Sequence, residues 1–384
     1  MNFELNKEQK QIKKAVKDFV KGEFKKDIIH ELIENKAYPE KILNKASELG
    51  FLGIHFPEQY GGEALGVFEK ILIAEELAIG SSTIGACVSL ADYGTQILLH
   101  HGSEKQKKDW LPKVAEAEIL SSCAFTEPGT GNNIELSQTT AVKDGDSWLI
   151  NGTKTFAVNG GPLAGFYIVL CKTGSEAGKP GQNLSNILVE ADCQGVSAVD
   201  VGNRLGHKLL FISNVEFKNV RVPLENLIGQ EHKGCSQVME FFNYSRLVMA
   251  ALSVGTAQGA FDRAVAHVKQ REQFGQKLID FQITRHKLAE MITEIETARL
   301  MTWQGALACE KGRTNTKLCS MAKLVATRTA MKVCDHALQL LGGYGYVQEY
   351  EVEGFYRDAK MSEILEGNRH VQKDVIADSI TGKK

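Results

Sequence analysis

Apolar residues return at helical spacing toward both ends of the chain and at strand spacing in the middle. Ile12, Val16, Phe19 and Val20 fall on one helical face. Asn6, with Gln9 three residues on, reads as a capping box at the start of that helix. Pro39 is placed to open a helix carrying Ile42, Leu43, Ala46 and Leu49, and Gly50 to end it. Residues 57–62 read as a loop. An apolar stretch over 67–99 breaks near Gly80-Ser81-Ser82, and 105–114 reads as an amphipathic helix.

Between about 120 and 227 short strand signals dominate. Trp148-Leu149-Ile150 runs into Asn151-Gly152, a dipeptide that favours a type I′ hairpin, so 153–158 is expected as the returning strand. Residues 166–170 and 186–190 read as buried strands. Val215, Phe217, Val220 and Val222 lead to Pro223, which cannot continue a ladder. Residues 174–181 form the loosest loop. From 234 long helices return, over 246–269, 281–310 and 315–341. The first is rich in Ala and Gly and should pack closely. The last is closed by Gly342-Gly343-Tyr344-Gly345. The pattern predicts three domains: helical over 1–120, a β barrel or sandwich over 121–233, and helical again over 234–384. The fold class is α+β.

Composition narrows the function. The chain has 384 residues, 43% hydrophobic and 24% charged, which is ordinary for a globular protein. Forty-five basic against 47 acidic residues give a formal net charge of −2, so nothing in the global field argues for nucleic acid. No apolar run has the length of a membrane span. The start of the chain lacks the apolar or Arg-rich character of a targeting segment. Eight cysteines include no Cys-x-x-Cys and no zinc spacing, so they read as buried thiols with no metal. The lack of a signal segment points to a reducing compartment, and a cytoplasmic, prokaryotic location is expected.

The chain has no Gly-x-Gly-x-x-Gly after a strand, no phosphate-binding P-loop and no Gly-x-Ser-x-Gly elbow. His100-His101 ends an apolar helix. Adjacent residues face different ways, so a helix-end cap role is expected rather than a shared metal. Five segments stand out, each with a plain reading beside a functional one. The polar loop 126–133 is either a linker or a cradle of N–H groups and hydroxyls. Residues 151–160 hold an aromatic, Phe156, between two turns. Arg271-Glu272-Gln273-Phe274-Gly275 interrupts a helical pair. Gly342-Gly343 is either a helix end or a place of close backbone approach to a ligand. Glu366 follows two apolar residues and precedes Gly367, so its carboxylate is a candidate for desolvation and raised basicity.

In this order the segments are far more specific than any one of them. The chain resembles the acyl-CoA dehydrogenase family over its whole length. The matching pieces are Tyr60-Gly61-Gly62, Glu75-Glu76-Leu77-Ala78, Thr126-Glu127-Pro128, Asn151-Gly152-x-Lys154 and Val220-Arg221-Val222-Pro223. Arg271-x-x-Phe274-Gly275, Phe281-Gln282, Leu341-Gly342-Gly343-x-Gly345, Arg357-Asp358-Ala359-Lys360 and Glu366-Gly367 continue the series. The resemblance implies a C-terminal four-helix domain, FAD bound between the domains, and a homotetramer in which a neighbouring subunit completes the flavin site. It also implies oxidation of an acyl-CoA thioester to its trans-2-enoyl form, with electrons passed to an electron-transfer flavoprotein.

Carried onto this chain, the resemblance makes Glu366 the base that takes the α-proton while the β-hydrogen leaves as hydride. The Glu366 backbone N–H is then one donor to the thioester carbonyl. Residues 123–132, including Cys123, Phe125, Thr126, Gly131 and Asn132, should line the flavin, followed by Phe156, Ala157 and Val158. Arg271, Phe274, Gln282, Gln339, Gly342 and Gly343 should reach the FAD of a neighbouring subunit. Asn368 and His370 follow the base and should lie near the flavin's adenosine side. Asn132, Asn243, Tyr244 and Arg246 fall where the family holds CoA, and Gly367 and Tyr93 where it holds the acyl thioester.

Departures from the family pattern bear on the substrate. Asn132-Asn133 replaces a common Ser-Asp, Asn243 a common Asp, and Asn368 a common Thr. Val158 lacks the hydroxyl many members place there. Tyr93 reshapes the acyl pocket toward a cyclic, aromatic or branched acyl group. Competing expectations are an enoyl-CoA reductase or an acyl-CoA oxidase of the same fold, or a catalytically silent relative that binds acyl-CoA or FAD.

Overall fold

The computed structural model describes residues 4–174 and 180–382. Part of the loose loop expected over 174–181 lies outside the described residues. The first helix, α1 (Lys7–Glu23), opens on the expected capping box: Asn6 accepts from the Gln9 backbone N–H, and Gln9 accepts from that of Asn6. α2 (Lys26–Asn35) and α3 (Glu40–Glu48) follow, the latter started by Pro39. The long apolar stretch divides at Ser81 into α4 (Val67–Gly80) and α5 (Ser82–Ser89). A turn over 90–94 then leads into α6 (Thr95–His101) and α7 (Glu104–Ala115). Ser81 stops α4 because its extended backbone and its hydroxyl, which accepts from Ile84 N–H, begin α5 instead.

The middle of the chain is one seven-stranded mixed sheet. Its strands are β1 (Leu120–Ala124), β2 (Thr140–Asp144), β3 (Ser147–Val158), β4 (Ala164–Lys172), β5 (Leu184–Glu190), β6 (Val196–Asp200) and β7 (Ile212–Pro223). The order is β1-β4-β2-β3-β7-β6, with β5 on β4. Trp148, Tyr167 and Phe217 anchor a core on one face of this sheet.

The hairpin expected at Asn151-Gly152 is a correction. β3 runs straight through it, and the turn lies earlier, where Asp144 pairs with Ser147. Gly152 instead sits at a bulge, where the register with β7 shifts after Ile150. Its φ is +154, and a Cβ there would lie 2.5 Å from Thr139 Oγ1. Glycine is required by close approach, not by a turn. A type I′-like reversal occurs instead at Phe274-Gly275, both at positive φ, between the two-residue strands β8 (Glu272–Gln273) and β9 (Gln276–Lys277).

Helices α8 (Gly234–Gln270), α9 (Gln282–Glu310) and α10 (Thr316–Leu341) form the C-terminal body, completed by α11 (Val352–Ser362) and α12 (Arg369–Thr381). α8 packs along α4 and α10 and joins the two helical zones into one body. Its small residues make this possible: a Cβ at Gly255 would lie 2.2 Å from the Glu75 carbonyl of α4. The largest core cluster runs continuously from Val16 to Ala359. Each fully buried Leu, Ile or Phe in it contributes about 1.5–3 kcal/mol. All eight cysteines are free thiols. Among the described residues no helix is long and apolar enough to cross a membrane, and no acidic, His or Cys cluster has the makings of a metal site.

Candidate active site

Glu366 lies in the turn between α11 and α12. It and Gly367 take left-handed backbone conformations, φ 63 and 83. For a non-glycine residue this costs about 1–2 kcal/mol, so the surroundings must hold it. They do. Gln372 Nε2 donates to the carbonyls of Glu366 and Gly367, both at 2.8 Å. Lys323 Nζ donates to the Gly367 carbonyl at 2.8 Å. Asn368 caps α12, its side chain accepting from His370 N at 2.9 Å and Val371 N at 3.2 Å.

The Glu366 side chain is only 4% exposed. Tyr93 donates its hydroxyl to Oε1. Ser245, from α8, donates to Oε2 at 2.5 Å. Burial pushes the pKa of Glu366 up, while the hydrogen bonds from Ser245 and Tyr93 and the charges of Arg246 and Lys323 pull it back, and burial wins. Arg246 is 3% exposed. It lies over the Phe242 ring at 5.7 Å and donates to Ser320 Oγ at 3.4 Å. Burial lowers Lys323 to about 8. The result is a buried carboxylate of raised basicity above two buried cations, an arrangement suited to proton abstraction from a carbon acid. Tyr93 meets Phe241 edge-on at 5.3 Å, and Phe125 and Phe242 extend the aromatic wall.

The polar loop and the strand with Phe156 come together beside this turn. Two of the motif segments meet as an ion pair: Lys154 Nζ donates to Glu127 Oε1 at 2.8 Å, and both side chains are buried. Burial works against the Glu127 carboxylate, but Lys154 and hydrogen bonds from Lys154, Ser137 and Thr139 hold its pKa down to about 2. Thr155 N–H donates to the Thr126 carbonyl at 2.8 Å, so loop and strand run side by side. The β3–β7 register shifts between Lys154 and Ala157, where Phe156 has φ 55. This bulge turns the Phe156 ring outward, 62% exposed, while Ala157 and Val158 stay buried. Cys123 and Phe125 are buried, and Gly131 lies open with no neighbour within 4 Å of a Cβ. Asn368 Nδ2 reaches Asn132 Oδ1 at 3.4 Å and links the loop to the Glu366 turn. An outward aromatic beside an open polar loop fits a flat ring system such as the isoalloxazine of FAD. Thr126, Gly131, Asn132 and Phe156 would hold it.

The other expected residues divide. Asn243 is buried with Oδ1 free of partners. Tyr244 faces away, against His55 at 5.4 Å. His370 is exposed in the first turn of α12. Arg271, Phe274, Gln282, Gln339, Gly342 and Gly343 cluster at the far end of the helical body and are all exposed, Phe274 by 94%. Gly342 caps α10, and Arg271 lies over Tyr344 at 5.4 Å. Ser245 and Arg271 are 26 residues apart along α8, roughly 39 Å at about 1.5 Å per residue. That exceeds the diameter of a small domain, so one small ligand cannot touch both groups within one chain. His100 and His101 do not cap their helix. They flank one carboxylate, Glu240, at 3.3 and 3.1 Å.

Sequence reasoning missed Ser245, Lys323 and Gln372. Ser245 lay inside a segment already singled out. Lys323 falls on the small-residue face of α10 with Cys319, Ala322, Ala326 and Ala330, where a charge must have a partner. Gln372 is the one buried residue of α12 among those described, and such a polar residue signals a task.

Family models match nearly the whole chain: acyl-CoA dehydrogenase N-terminal domain over 6–118, middle domain over 122–220 and C-terminal domain over 232–381. The chain belongs to the acyl-CoA dehydrogenase family, and the protein is an oxidoreductase of that class. It is 38% identical to a probable acyl-CoA dehydrogenase, YngJ, of Bacillus subtilis, covering 98% of this chain and 99% of the relative. It is 34% identical to CarC, a subunit of the caffeyl-CoA reductase–Etf complex of Acetobacterium woodii, covering 99% and 100%. A solved glutaryl-CoA dehydrogenase of Mycobacterium smegmatis in complex with FADH2 matches with a TM-score of 0.92 at 26% identity, over 99% of this chain and 96% of that one.

Proposed function

We propose that the protein removes the α-proton of an acyl-CoA thioester with Glu366 and releases the trans-2-enoyl-CoA. The observation that carries this is the buried Glu366 carboxylate, held in a left-handed turn by Tyr93, Ser245, Gln372 and Lys323. FAD, when bound, supplies the hydride acceptor. Glu366 supplies the base, and a positioned base of this kind contributes roughly 10²–10⁴-fold. The closed surroundings of Glu366 exclude water from the proton in transit. Asn243 keeps a buried side-chain Oδ1 without a partner, which a CoA amide N–H would satisfy. Tyr93 narrows the space next to the base and supports a short cyclic, aromatic or branched acyl group.

The separation between the Glu366 region and the exposed Arg271–Phe274 group supports a homotetramer in which a neighbouring copy completes each FAD site. An electron-transfer flavoprotein is the proposed electron acceptor, supported by the likeness to the Etf-complex subunit. The free thiols support a reducing, cytoplasmic setting. That same relative is named as a reductase, so a second reading runs the reaction from enoyl to acyl.

The test is anaerobic titration of the FAD-loaded protein with straight-chain, branched, cyclic and aryl acyl-CoAs, following flavin absorbance. Bleaching by at least one saturated acyl-CoA is expected. No bleaching by any, or a colourless protein that takes up no FAD, overturns the reading. Best turnover of straight-chain substrates removes the assignment of acyl type.

A further inference from the structure

Tyr93 touches the base itself. The turn that carries it is strapped to the sheet by several bonds. Ser121 Oγ donates to the Tyr93 carbonyl at 3.0 Å, and Ser121 N donates to the Ala91 carbonyl at 3.1 Å. Asn159 Nδ2 donates to the Leu90 carbonyl at 2.6 Å and the Ser121 carbonyl at 3.0 Å, tying the end of β3 to the same turn. Phe241 packs edge-on against the ring. The phenol therefore has a fixed pedestal and a fixed direction, and that direction ends on Glu366 Oε1. Ser245 holds Oε2 from the opposite element, α8. The carboxylate itself lies in a turn with no helix to orient it.

We infer that Tyr93 is a positioning residue for the base: together with Ser245 it clamps the two Glu366 oxygens and fixes the carboxylate rotamer from which the α-proton is taken. The inference rests on the reading of Glu366 as base. It also carries a titration consequence. A phenol that donates to a carboxylate stabilises the ionised form, so its removal makes Glu366 harder to ionise. Burial, first of all, and the neighbouring Glu366 charge raise Tyr93 well above the usual tyrosine range, so it stays a neutral donor throughout. The groups facing Glu366 are Tyr93 from the turn, Ser245 and Arg246 from α8, Lys323 from α10, Cys123 from β1 and the neutral Gln372 from α12. Burial raises the Cys123 thiol, so it stays neutral. Lys323, at about 8, titrates on the alkaline side and is common to all variants.

The experiment compares FAD-loaded wild type, Tyr93→Phe, Ser245→Ala, the double variant and Glu366→Gln in single-turnover flavin bleaching from pH 5 to 9, using the best acyl-CoA of the panel. Tyr93→Phe keeps the ring against Phe241 and is expected to keep its bound FAD. Its bleaching rate is expected to fall about tenfold or more, since a bond to a charged group is at stake. The acid limb of its profile is expected to move up by about one pH unit. Ser245→Ala should move the limb the same way, and the double variant further. Slower bleaching with an unmoved acid limb in both single variants means mere packing and overturns the clamp. Wild-type rates in Tyr93→Phe overturn it too. Wild-type bleaching in Glu366→Gln overturns the underlying base assignment instead, so the two failures are told apart.

Discussion

Replacing Lys154 by Met tests the joint between the polar loop and the sheet. The change keeps length and volume but removes the ammonium that donates to Glu127 Oε1 at 2.8 Å, to Ser137 Oγ at 2.8 Å and to the Phe125 carbonyl at 3.3 Å. Glu127 would stay buried with its remaining donors, Ser137 Oγ at 2.6 Å, Thr139 Oγ1 at 2.7 Å, Thr139 N at 2.8 Å and Gln138 N at 2.8 Å. Breaking a buried pair by removing one partner costs about 3–5 kcal/mol. The titration agrees in direction. Against burial, Lys154, with Ser137 and Thr139, holds Glu127 down to about 2, while burial lowers Lys154 itself against the pull of Glu127, so the Glu127 shift overstates what the pair contributes. The sign is that of a depressed carboxyl: the contribution is complete above the ordinary value and is lost as pH falls from 4.5 through about 2. The assay is urea unfolding of wild type and Lys154→Met followed by circular dichroism, at neutral pH and near pH 4. The variant should be less stable by about 3 kcal/mol or more at neutral pH, and the deficit should shrink on acidification. Adding Glu127→Gln to Lys154→Met should recover part of the loss. An unchanged unfolding midpoint in Lys154→Met, or a deficit that grows in acid, refutes the reasoning.

Two further outcomes follow from the same geometry. Asn368→Ala removes the cap of α12 and should cost about 1 kcal/mol, read as a lower thermal midpoint and faster amide exchange at residues 370–372. Phe274→Asp replaces a ring that is 94% exposed on one chain with a charged carboxylate. If copies of the chain cover it, light scattering should show a smaller particle that also loses FAD, and an unchanged particle mass contradicts that coverage.

The helical parts of the fold were legible because their signals are local. Asn6 and Gln9 announce a helix start, and the Ala/Gly run of α8 announces close packing, realised at Gly255 against α4. The sheet was harder. β1 is buried along its whole length and β6 is exposed along nearly all of its own, so neither alternates. Asn151-Gly152 has hairpin chemistry, but the constraint there is crowding by Thr139, which comes from another segment. Glu366 was legible because an apolar pair before it and a glycine after it foretell burial and a turn. What holds it was not. Tyr93, Ser245, Lys323 and Gln372 lie up to 273 residues away and meet only through folding. Lys154 and Glu127 were seen as separate motifs, and their bond is tertiary. His100 and His101 read as a helix-end cap because their partner, Glu240, lies on another helix.

The most direct measurement is flavin bleaching by a saturated acyl-CoA in Glu366→Gln under anaerobic conditions. Glutamine preserves the shape, accepts from Tyr93 through its carbonyl and can donate to Ser245, so the turn and its FAD should persist. It cannot take a proton. The expected variant is a yellow protein that binds acyl-CoA and bleaches about 10³-fold more slowly than wild type, a barrier higher by about 4 kcal/mol. Bleaching at the wild-type rate would contradict Glu366 as the base.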